Sequence, residues 1–252
     1  MSLVLLPILA LFIPLFPFSM VFNALFQRLQ SSRARLAILL IWPQLGVFLA
    51  NAADLEVPAW VILWALFTAL LYAYRALALR EVGLWTAFMA TSAWTLLWVT
   101  WDPNQGWLRP VLYSLAFSAP LALLVLLSRE LEKRFGAAYT GLYTGLAISL
   151  PRLSGTLVVV VLAIIGTPLF PAFSVMVSTI VDATSGSFAT AVSVSAVWLL
   201  WGWAGARLLQ GLIVGPPPDE PVSDLALVSV WAYASVLVIL VIMGISMTGG
   251  VP

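Results

Sequence analysis

The sequence predicts an all-α, polytopic membrane protein, and three observations lead to that fold class. Hydrophobic residues make up 63% of the 252-residue chain and charged residues only 8%. The mean hydropathy of +1.09 lies far above that of soluble domains. The apolar residues form windows of about 20 residues, the length that spans roughly 30 Å of hydrocarbon. Because the connections between windows are short, we expect a single transmembrane domain over residues 1–252.

Eight apolar windows follow one another along the chain, and each is predicted to form one membrane span. They lie at about residues 3–24, 35–53, 57–78, 82–101, 108–128, 151–181, 186–212 and 222–247. The one long connection, residues 129–150, begins with charged residues. Glu130 and Arg134 stand there at i,i+4, which predicts a helical turn or two at the membrane surface. Residues 215–221, rich in proline, are predicted to form a rigid turn.

The basic residues predict the orientation of the chain. Only Arg109 falls on one predicted face of the membrane, and the other ten of the 11 basic residues share the opposite face. By the positive-inside rule the basic face is cytoplasmic, which places both termini on the outer side. Trp94, Trp98, Trp101 and Trp107 fall toward the outer side and predict part of an aromatic belt. The ten residues of the basic face are Arg28, Arg33, Arg35, Arg75, Arg80, Arg129, Lys133, Arg134, Arg152 and Arg207.

Residues 150–182 are apolar for long enough to cross a bilayer, yet Gly166, Pro168 and Pro171 stand in their middle. Proline removes a backbone donor and clashes with the preceding turn, so a helix is predicted to break there. Unpaired backbone at that depth is tolerated only where protein or a water-filled cavity covers it, and such breaks recur at transporter sites. A proline kink that only shapes packing is an equally good interpretation.

The chain contains neither cysteine nor histidine. Disulfides, thiolate metal sites and thiol nucleophiles are thereby excluded, and the usual general base near neutral pH is missing. The predicted spans also carry no paired carboxylates. We therefore expect no enzyme, no catalytic residue, no metal site and no cofactor. The net charge of +1 gives no indication of a nucleic-acid partner.

Four segments, in order along the chain, carry a resemblance to a known family. They are FIPLFPFS at residues 12–19, YSLAFSAPLALLVLLSRELEKR at 113–134, GTPLFPAF at 166–173, and ARLLQGLIVG at 206–215 followed by VSDL at 222–225. The first resembles the motif K-x-P-x-F-P-F-H, with Pro14 and Pro17 as its prolines. Together the segments resemble the large antiporter-like membrane subunits shared by respiratory complex I, Mrp-type cation antiporters, membrane-bound hydrogenases and two-subunit inorganic-carbon transporters.

The resemblance covers nearly the whole chain and implies a position within the family's fold. The first and third segments correspond to the broken seventh and twelfth helices of the family. Helices seven to fourteen number eight and begin and end on the outer side, in agreement with the basic residues. The protein then resembles the C-terminal half of such a subunit. The resemblance also implies a bacterial inner membrane, a hetero-oligomeric complex and partner membrane subunits, among them a lysine-bearing antiporter-like subunit.

The chain departs from the family at the residues to which proton movement is attributed. These are lysines, a glutamate and histidines buried along the membrane midplane, and here their places hold apolar or hydroxyl side chains that do not titrate near neutral pH. The resemblance therefore implies that this chain keeps the fold of the family but lacks the titratable residues of its proton relay. The relay positions are Phe12, Ser19, Ile41 or Trp42, a pair within residues 116–122, and a position near Met176.

Two functions stay open at this point. One is a non-conducting scaffold or coupling subunit of an ion-translocating, energy-coupled complex that moves protons, cations or inorganic carbon. The other is an ion-conducting subunit with a hydrated path between the broken helices. The candidate residues for a polar path or contact are Ser19, Ser174, Ser178, Asp182 and Arg207. Of these, Arg207 is also a candidate contact for Asp224 or for an anionic lipid headgroup.

Overall fold

The computed structural model describes residues 5–103, 106–217 and 222–249, and the regular structure in these ranges is helical apart from two isolated β-bridges. The helices are α1 (Leu5–Phe12), α2 (Ser19–Arg28), α3 (Ser32–Ala52), α4 (Ala59–Ala76), α5 (Val82–Thr95), α6 (Leu108–Phe135), α7 (Leu146–Ser149), α8 (Pro151–Ile164), α9 (Pro171–Gly186), α10 (Phe188–Ile213) and α11 (Leu227–Gly249). A short 3-10 helix, Leu96–Trp98, continues α5. The predicted turn at residues 215–221 lies partly outside the described residues.

Five of the described helices, α3, α4, α6, α10 and α11, are long and apolar enough to cross a membrane. α8 and α9 are shorter apolar helices that follow each other within one predicted window, as α1 and α2 do within another. Every predicted window thus contains a helix, and the all-α, multi-pass membrane fold is confirmed. The count of eight spans and the outer position of both termini stay predictions.

α5 forms the centre of the bundle, with α2, α4 and α6 packed around it. All of its residues except Leu84 are buried, because its sequence offers apolar and hydroxyl side chains on every face. Two of the hydroxyls are satisfied within the helix, since Thr86 donates to the carbonyl of Val82 at 2.7 Å and Thr91 to that of Ala87 at 2.9 Å. Ser92 instead donates to the carbonyl of Ala69 on α4 at 2.8 Å. α11, by contrast, lies at the periphery.

Two of the tryptophans predicted for an outer aromatic belt lie inside the protein instead. Trp94 and Trp98 have exposed fractions of 0% and 1%. Each has a hydrogen-bond acceptor within the bundle, which an indole N–H needs when it is removed from water. The belt prediction is therefore wrong for these two residues, because position along the membrane normal does not decide which way a helix face points.

α6 continues through the predicted surface turn without interruption. Arg134 Nη1 and Glu130 Oε2 form the i,i+4 ion pair at 2.7 Å, as the sequence predicts. The helix ends where Gly136 adopts a φ of +80°, a conformation that glycine allows without strain. The loop that follows is attached to the start of α5, since the amide of Thr140 donates to the carbonyl of Arg80 at 2.8 Å.

Candidate functional site

The first candidate site is the break between α1 and α2, which we call the first break (residues 13–18). α1 ends at Phe12, α2 begins at Ser19, and Pro14 and Pro17 lie in the irregular backbone between them. Because proline interrupts the helical hydrogen-bond ladder, carbonyl groups here lack intrahelical donors. The first half of the break is buried, so these carbonyls must find donors within the protein.

Three tryptophans from other helices supply donors at the first break. Their indole Nε1 atoms donate to main-chain carbonyls as follows: Trp42 to Leu11 at 3.0 Å, Trp98 to Ile13 at 3.0 Å and Trp64 to Phe16 at 2.6 Å. The hydroxyl of Thr68 accepts the amide N–H of Phe16 at 3.1 Å. Irregular backbone at membrane depth is stable where protein covers it, and here indoles provide that cover.

Aromatic rings also fill the space beside the first break. The ring centroid of Phe12 lies 5.1 Å from that of Trp42. Phe22 lies 5.8 Å from Trp42 and 4.8 Å from Trp94, separations typical of packed aromatic pairs. Trp94 Nε1 then donates to Ser118 Oγ at 3.0 Å. Packed side chains therefore connect relay positions on α1, α3 and α6.

Ser19, at the relay position of the family's histidine, belongs to a small buried polar cluster. Its hydroxyl is hydrogen-bonded to the hydroxyl of Tyr72 at 2.8 Å. Asn23 Nδ2 donates to the carbonyl of Ser19 at 2.9 Å, and Asn23 Oδ1 lies 3.3 Å from Thr91 Oγ1. The cluster contains no carboxylate, lysine or histidine. It can tie α2 to α4 and α5, but it offers no group with the chemistry of the family's relay.

The second candidate site is the break between α8 and α9, which we call the second break (residues 165–170). Pro168 lies within it, and Pro171 opens α9 at a helix position where its missing N–H costs nothing. Gly166 and Leu169 both have positive φ, at +70° and +85°. Gly166 suits this left-handed conformation because it has no Cβ.

One tryptophan donates a hydrogen bond to the backbone at the second break, compared with three at the first break. Trp198 Nε1 donates to the carbonyl of Ile165 at 2.9 Å, and the Trp198 ring packs edge-on against Phe173 with centroids 5.6 Å apart. Thr167 Oγ1 donates to the carbonyl of Leu162 at 3.0 Å and so caps the end of α8.

α11 closes the second break from the side. A Cβ built on Gly244 would lie 2.2 Å from the carbonyl oxygen of Leu169, so the two backbones meet at a distance that only glycine permits. Ser174 Oγ donates to the carbonyl of Gly244 at 3.2 Å. The side chains of Pro168 and Leu169 are exposed. The second break thus lies at the surface of the bundle, against one peripheral helix.

Asp182 lies near the end of α9 and is paired with Arg109 at the start of α6. Arg109 Nη2 donates to Asp182 Oδ2, and Arg109 Nε donates to the hydroxyl of Tyr113 at 2.9 Å. The Asp182 side chain is 47% exposed. The pair therefore joins two helix ends at the surface of the bundle, where an ion pair contributes about 0–1 kcal/mol.

Arg207 and Asp224, considered together from the sequence, have separate surroundings. The carboxylate of Asp224 accepts the amide N–H groups of Arg152 at 2.8 Å and Leu153 at 3.1 Å. An anion at the start of a helix is stabilised by the free N–H groups and the helix dipole, so Asp224 anchors α8. Arg207 is exposed on α10, in a surface cleft with Arg80.

The five candidate polar residues do not converge on one path. Ser19 is bonded beside the first break, and Ser174 faces α11. Ser178 is half-buried on α9, Asp182 is at the surface, and Arg207 is in a cleft near the end of α10. Within the described ranges, no three acidic side chains cluster as a metal site would require.

A cavity of about 10 Å³ lies beside the end of α8, and apolar groups dominate its lining. A water molecule needs at least that volume together with two or more polar partners, so this cavity does not hydrate the region between the breaks. The residues that line it are Met89, Ala93, Phe117, Leu121, Ile164 and Trp201.

Sequence reasoning missed the residues that hold the breaks closed. No sequence pattern distinguishes Trp64 and Trp198, the belt prediction misplaces Trp98, and Trp42 is only one of two positions for a lost lysine. The available signal was compositional. The chain carries 12 tryptophans, and an indole is a large apolar group with one donor, which suits it to pair with an orphan carbonyl inside an apolar bundle.

No protein-family model matches the sequence. A protein of Aquifex aeolicus (strain VF5), described only as uncharacterized, is 24% identical over 213 residues, which are 83% of this chain and 85% of that protein. This identity is too low for a function to be transferred, and the description of the relative names no function.

Solved structures share the fold. A chain of respiratory complex I from Thermus thermophilus has a TM-score of 0.80 at 22% identity, covering 94% of this chain and 52% of that one. A chain of the Mrp complex from Dietzia sp. DQ12-45-1b has a TM-score of 0.75 at 14% identity, covering 94% and 55%. A chain of the membrane-bound sulfane sulfur reductase, an archaeal respiratory membrane complex, has 0.82 at 16%, covering 96% and 51%.

The protein therefore spans about half the length of the structural neighbours that it matches. Each of them is a membrane subunit of a respiratory or antiporter complex. The resemblance carried by the four sequence segments is confirmed at the level of the fold: the chain has the fold of the antiporter-like membrane subunits over about half of their length.

Proposed function

We propose that the protein is a membrane subunit of an ion-translocating, energy-coupled complex, in which it acts as a scaffold or coupling subunit and conducts no ions itself. The shared fold and the four segments support the first part. Transport of protons, cations or inorganic carbon then belongs to the whole complex. The proposed partners are its other membrane subunits, including a lysine-bearing antiporter-like subunit, within the lipid bilayer and without nucleic acid.

The packing at the relay positions is the observation that carries the proposal. By the resemblance, one family lysine falls on Phe12 and another on Ile41 or Trp42, and the rings of Phe12 and Trp42 are in contact. Met176 is fully buried, and the resemblance places a lysine or glutamate of the family near it. A proton relay needs groups that can gain and lose a proton at membrane depth, with water or polar partners between them. The first break instead has packed rings and indole donors.

We further propose that the protein has no catalytic activity of its own. Neither histidine nor cysteine is present, which removes the commonest acid–base, nucleophilic and metal-binding groups. The proposed location is the bacterial inner membrane. The asymmetry of the basic residues and the similarity to a bacterial protein of Aquifex aeolicus support it.

The alternative is an ion-conducting subunit that uses a hydrated path between the two breaks. The two breaks themselves favour it, because irregular backbone at membrane depth often lines an ion path. In this alternative Asp182 is the acceptor, and Ser19, Ser174 and Ser178 help to line the path. The engagement of Ser174 with α11 and of Asp182 with Arg109 weighs against it.

Purification from the native membrane tests the subunit assignment. The tagged chain is extracted in mild detergent, and the proteins that remain bound are identified by mass spectrometry. We expect a lysine-bearing antiporter-like subunit or a soluble catalytic chain of the host complex. Recovery of the chain alone, as a monomer or homo-oligomer, would contradict a role as a subunit.

Flux measurements test the absence of conduction. The chain alone and its complex are reconstituted into liposomes, and proton flux is followed with an internal pH-sensitive dye. We expect the chain alone to match empty liposomes, and the complex to conduct equally well with Asp182→Asn. Flux through the isolated chain that Asp182→Asn abolishes would establish the alternative.

A further inference from the structure

A surface cleft of about 610 Å³ lies where the end of α4 meets the end of α10, and the proposed function makes no use of it. Two arginines of the basic face open into it. The loop after α6 closes one side, where the amide of Thr140 is bonded to the carbonyl of Arg80. The polar and glycine residues that line the cleft are Arg80, Thr140, Gly141, Arg207, Gln210 and Gly211.

Both arginines of this cleft lack a carboxylate partner among the residues that the structure describes. Glu81, the next residue after Arg80, directs its carboxylate elsewhere: its Oε1 and the Nη1 of Arg35 both lie 3.4 Å from the position that a Cβ on Gly83 would take. The ion pairs in the described ranges join Arg35 to Glu132, Arg109 to Asp182, Lys133 to Glu130 and Arg134 to Glu130. Within the part of the chain that the structure describes, the cleft therefore presents two positive charges without a carboxylate partner.

A second basic cleft, of about 490 Å³, lies between the start of α3 and the end of α6 and differs in two respects. Its lining includes a carboxylate, that of Glu132, which lies 3.8 Å from Arg35. Lys133 is paired with Glu130 at 2.5 Å, while Arg33 and Arg129 form no ion pair with a described residue. Its lining is also mostly polar, with Val125 as the one aliphatic member. The cleft at Arg80 and Arg207 combines free charge with an apolar wall, formed by Ala76, Leu77, Ala78, Leu79, Ala204 and Leu208.

An exposed apolar stripe of α10 leads along the helix to this cleft. Leu199 and Trp203 stand one turn apart on the same face as Arg207, and they are 77% and 59% exposed. On α4, Tyr74 is 66% exposed one turn before the residues that line the cleft. A molecule with a negative head and long apolar tails matches this arrangement of two cations above an apolar helix face.

We propose that the cleft between α4 and α10 binds one anionic phospholipid, with Arg80 and Arg207 holding its phosphate and the exposed face of α10 contacting its acyl chains. Guanidinium groups bind phosphate oxygens with charge-assisted hydrogen bonds. Basic pockets between transmembrane helices on the cytoplasmic side are known to suit anionic headgroups. Gly141 faces open space, since a Cβ built on it would meet no atom within 4 Å, whereas Gly211 allows Thr140 of the loop to pack closely against α10. The inference holds whether or not the chain conducts ions.

Native mass spectrometry of the purified full chain, with any partners that remain bound, tests the site. Delipidated protein is titrated with phosphatidylglycerol, cardiolipin or zwitterionic phosphatidylethanolamine. We expect one molecule of either anionic lipid to bind each chain, at least tenfold more tightly than phosphatidylethanolamine. Equal affinity for all three lipids would overturn the proposal, without bearing on whether the protein is a scaffold.

Variants locate the binding. The double variant Arg80→Gln, Arg207→Gln should weaken the binding of phosphatidylglycerol by roughly 30-fold, since each arginine near an anionic surface contributes about fivefold. The matched control Arg28→Gln, Arg33→Gln removes two exposed charges of the basic face outside the cleft and should change the affinity less than threefold. Arg80→Lys, Arg207→Lys keeps the charge and should retain most of the binding. Equal losses in the cleft variant and the matched control would overturn the assignment to this cleft.

Inorganic phosphate distinguishes a lipid from a free anion. At millimolar concentration it should neither displace bound phosphatidylglycerol nor raise the thermal unfolding temperature of the delipidated protein. Phosphate that binds with the affinity of the lipid, and depends on the same two arginines, would overturn the lipid assignment in favour of a soluble anion.

Discussion

The two breaks share a cause in the sequence, yet the bundle treats them differently. The first break is enclosed: three indoles and the Thr68 hydroxyl serve its backbone. The second has one indole, exposed Pro168 and Leu169, and a backbone contact with α11 at Gly244. Proline removes a backbone donor at either break, but the neighbours decide how the freed groups are satisfied, and Pro43 and Pro120 stay inside the uninterrupted helices α3 and α6. The first break lies within the core, and the second lies at the surface of the bundle in contact with the peripheral helix α11.

A lysine at a predicted relay position should have the largest effect, because apolar side chains are packed there. Met176 is fully buried, so Met176→Lys places an ammonium group inside the bundle at a cost of about 3 kcal/mol or more. Phe12→Lys should act in the same direction through loss of its contact with Trp42. The thermal unfolding midpoint in mild detergent measures the loss. Met176→Leu, similar in volume, should cost under about 1.5 kcal/mol. A lysine variant with unchanged stability would indicate a hydrated interior.

Alanine at the glycine beside each break compares the two directly. At Gly244 a Cβ would meet backbone atoms of Leu169 and Phe170, which cannot rotate away, so we expect Gly244→Ala to cost about 2–3 kcal/mol. At Gly46 a Cβ would lie 2.6 Å from Ile13 Cγ1, 3.0 Å from Phe12 Cβ and 3.2 Å from the Ile13 amide nitrogen, each farther than the 2.2 Å contact at Gly244. Gly46→Ala should therefore cost less, about 1 kcal/mol. Chemical unfolding of both variants gives the comparison, and the reverse order would show that α11 adjusts more easily than the core.

Loss of an indole donor should matter more at the first break. Trp98→Phe keeps a ring but leaves the buried carbonyl of Ile13 without that donor, at an expected cost of about 1–2 kcal/mol. Trp198→Phe removes the donor of Ile165 at a half-buried position, where the expected cost is below about 1 kcal/mol. The unfolding free energies of the two variants, each compared with that of the unchanged protein, test this expected order of costs. Equal costs would mean that the two breaks are equally enclosed.

The ion pair at the end of α9 should contribute least. Both partners are partly exposed, so a double-mutant cycle of Arg109→Gln and Asp182→Asn should give a coupling energy below about 1 kcal/mol, and less at high salt. Thermal unfolding of the four proteins at two salt concentrations provides the cycle. A coupling of several kcal/mol would indicate that the pair is more enclosed than its exposure implies.

Much of the fold could be predicted from the sequence, because hydropathy and proline act over short distances. Each apolar window contains a helix, and Pro14 and Pro168 stand in irregular backbone between helices. The direction in which a helix face points was harder to predict. Trp98 was assigned to the membrane surface although it lies in the core, since α5 and its 3-10 extension are apolar on every face and offer no periodicity to read.

The candidate site was predicted less well than the fold. Ser19 and Ser174 are both candidates from the sequence for a polar path or contact, but each bonds to a different neighbour. The assignment of Asp182 to that path did not anticipate its partner Arg109, which is 73 residues away. Contacts between helices depend on rotation and packing, and neither follows from hydropathy.

The sequence by itself determined that the chain is a helical membrane protein, that two of its apolar stretches carry closely spaced prolines, and that no histidine or cysteine chemistry is available. Only the tertiary structure decided how the breaks are closed. The indoles that serve Leu11, Phe16 and Ile13 come from positions 31, 48 and 85 residues away. A proline acts on its own turn, whereas the donor for an orphan carbonyl is whichever residue the packed helices bring to it.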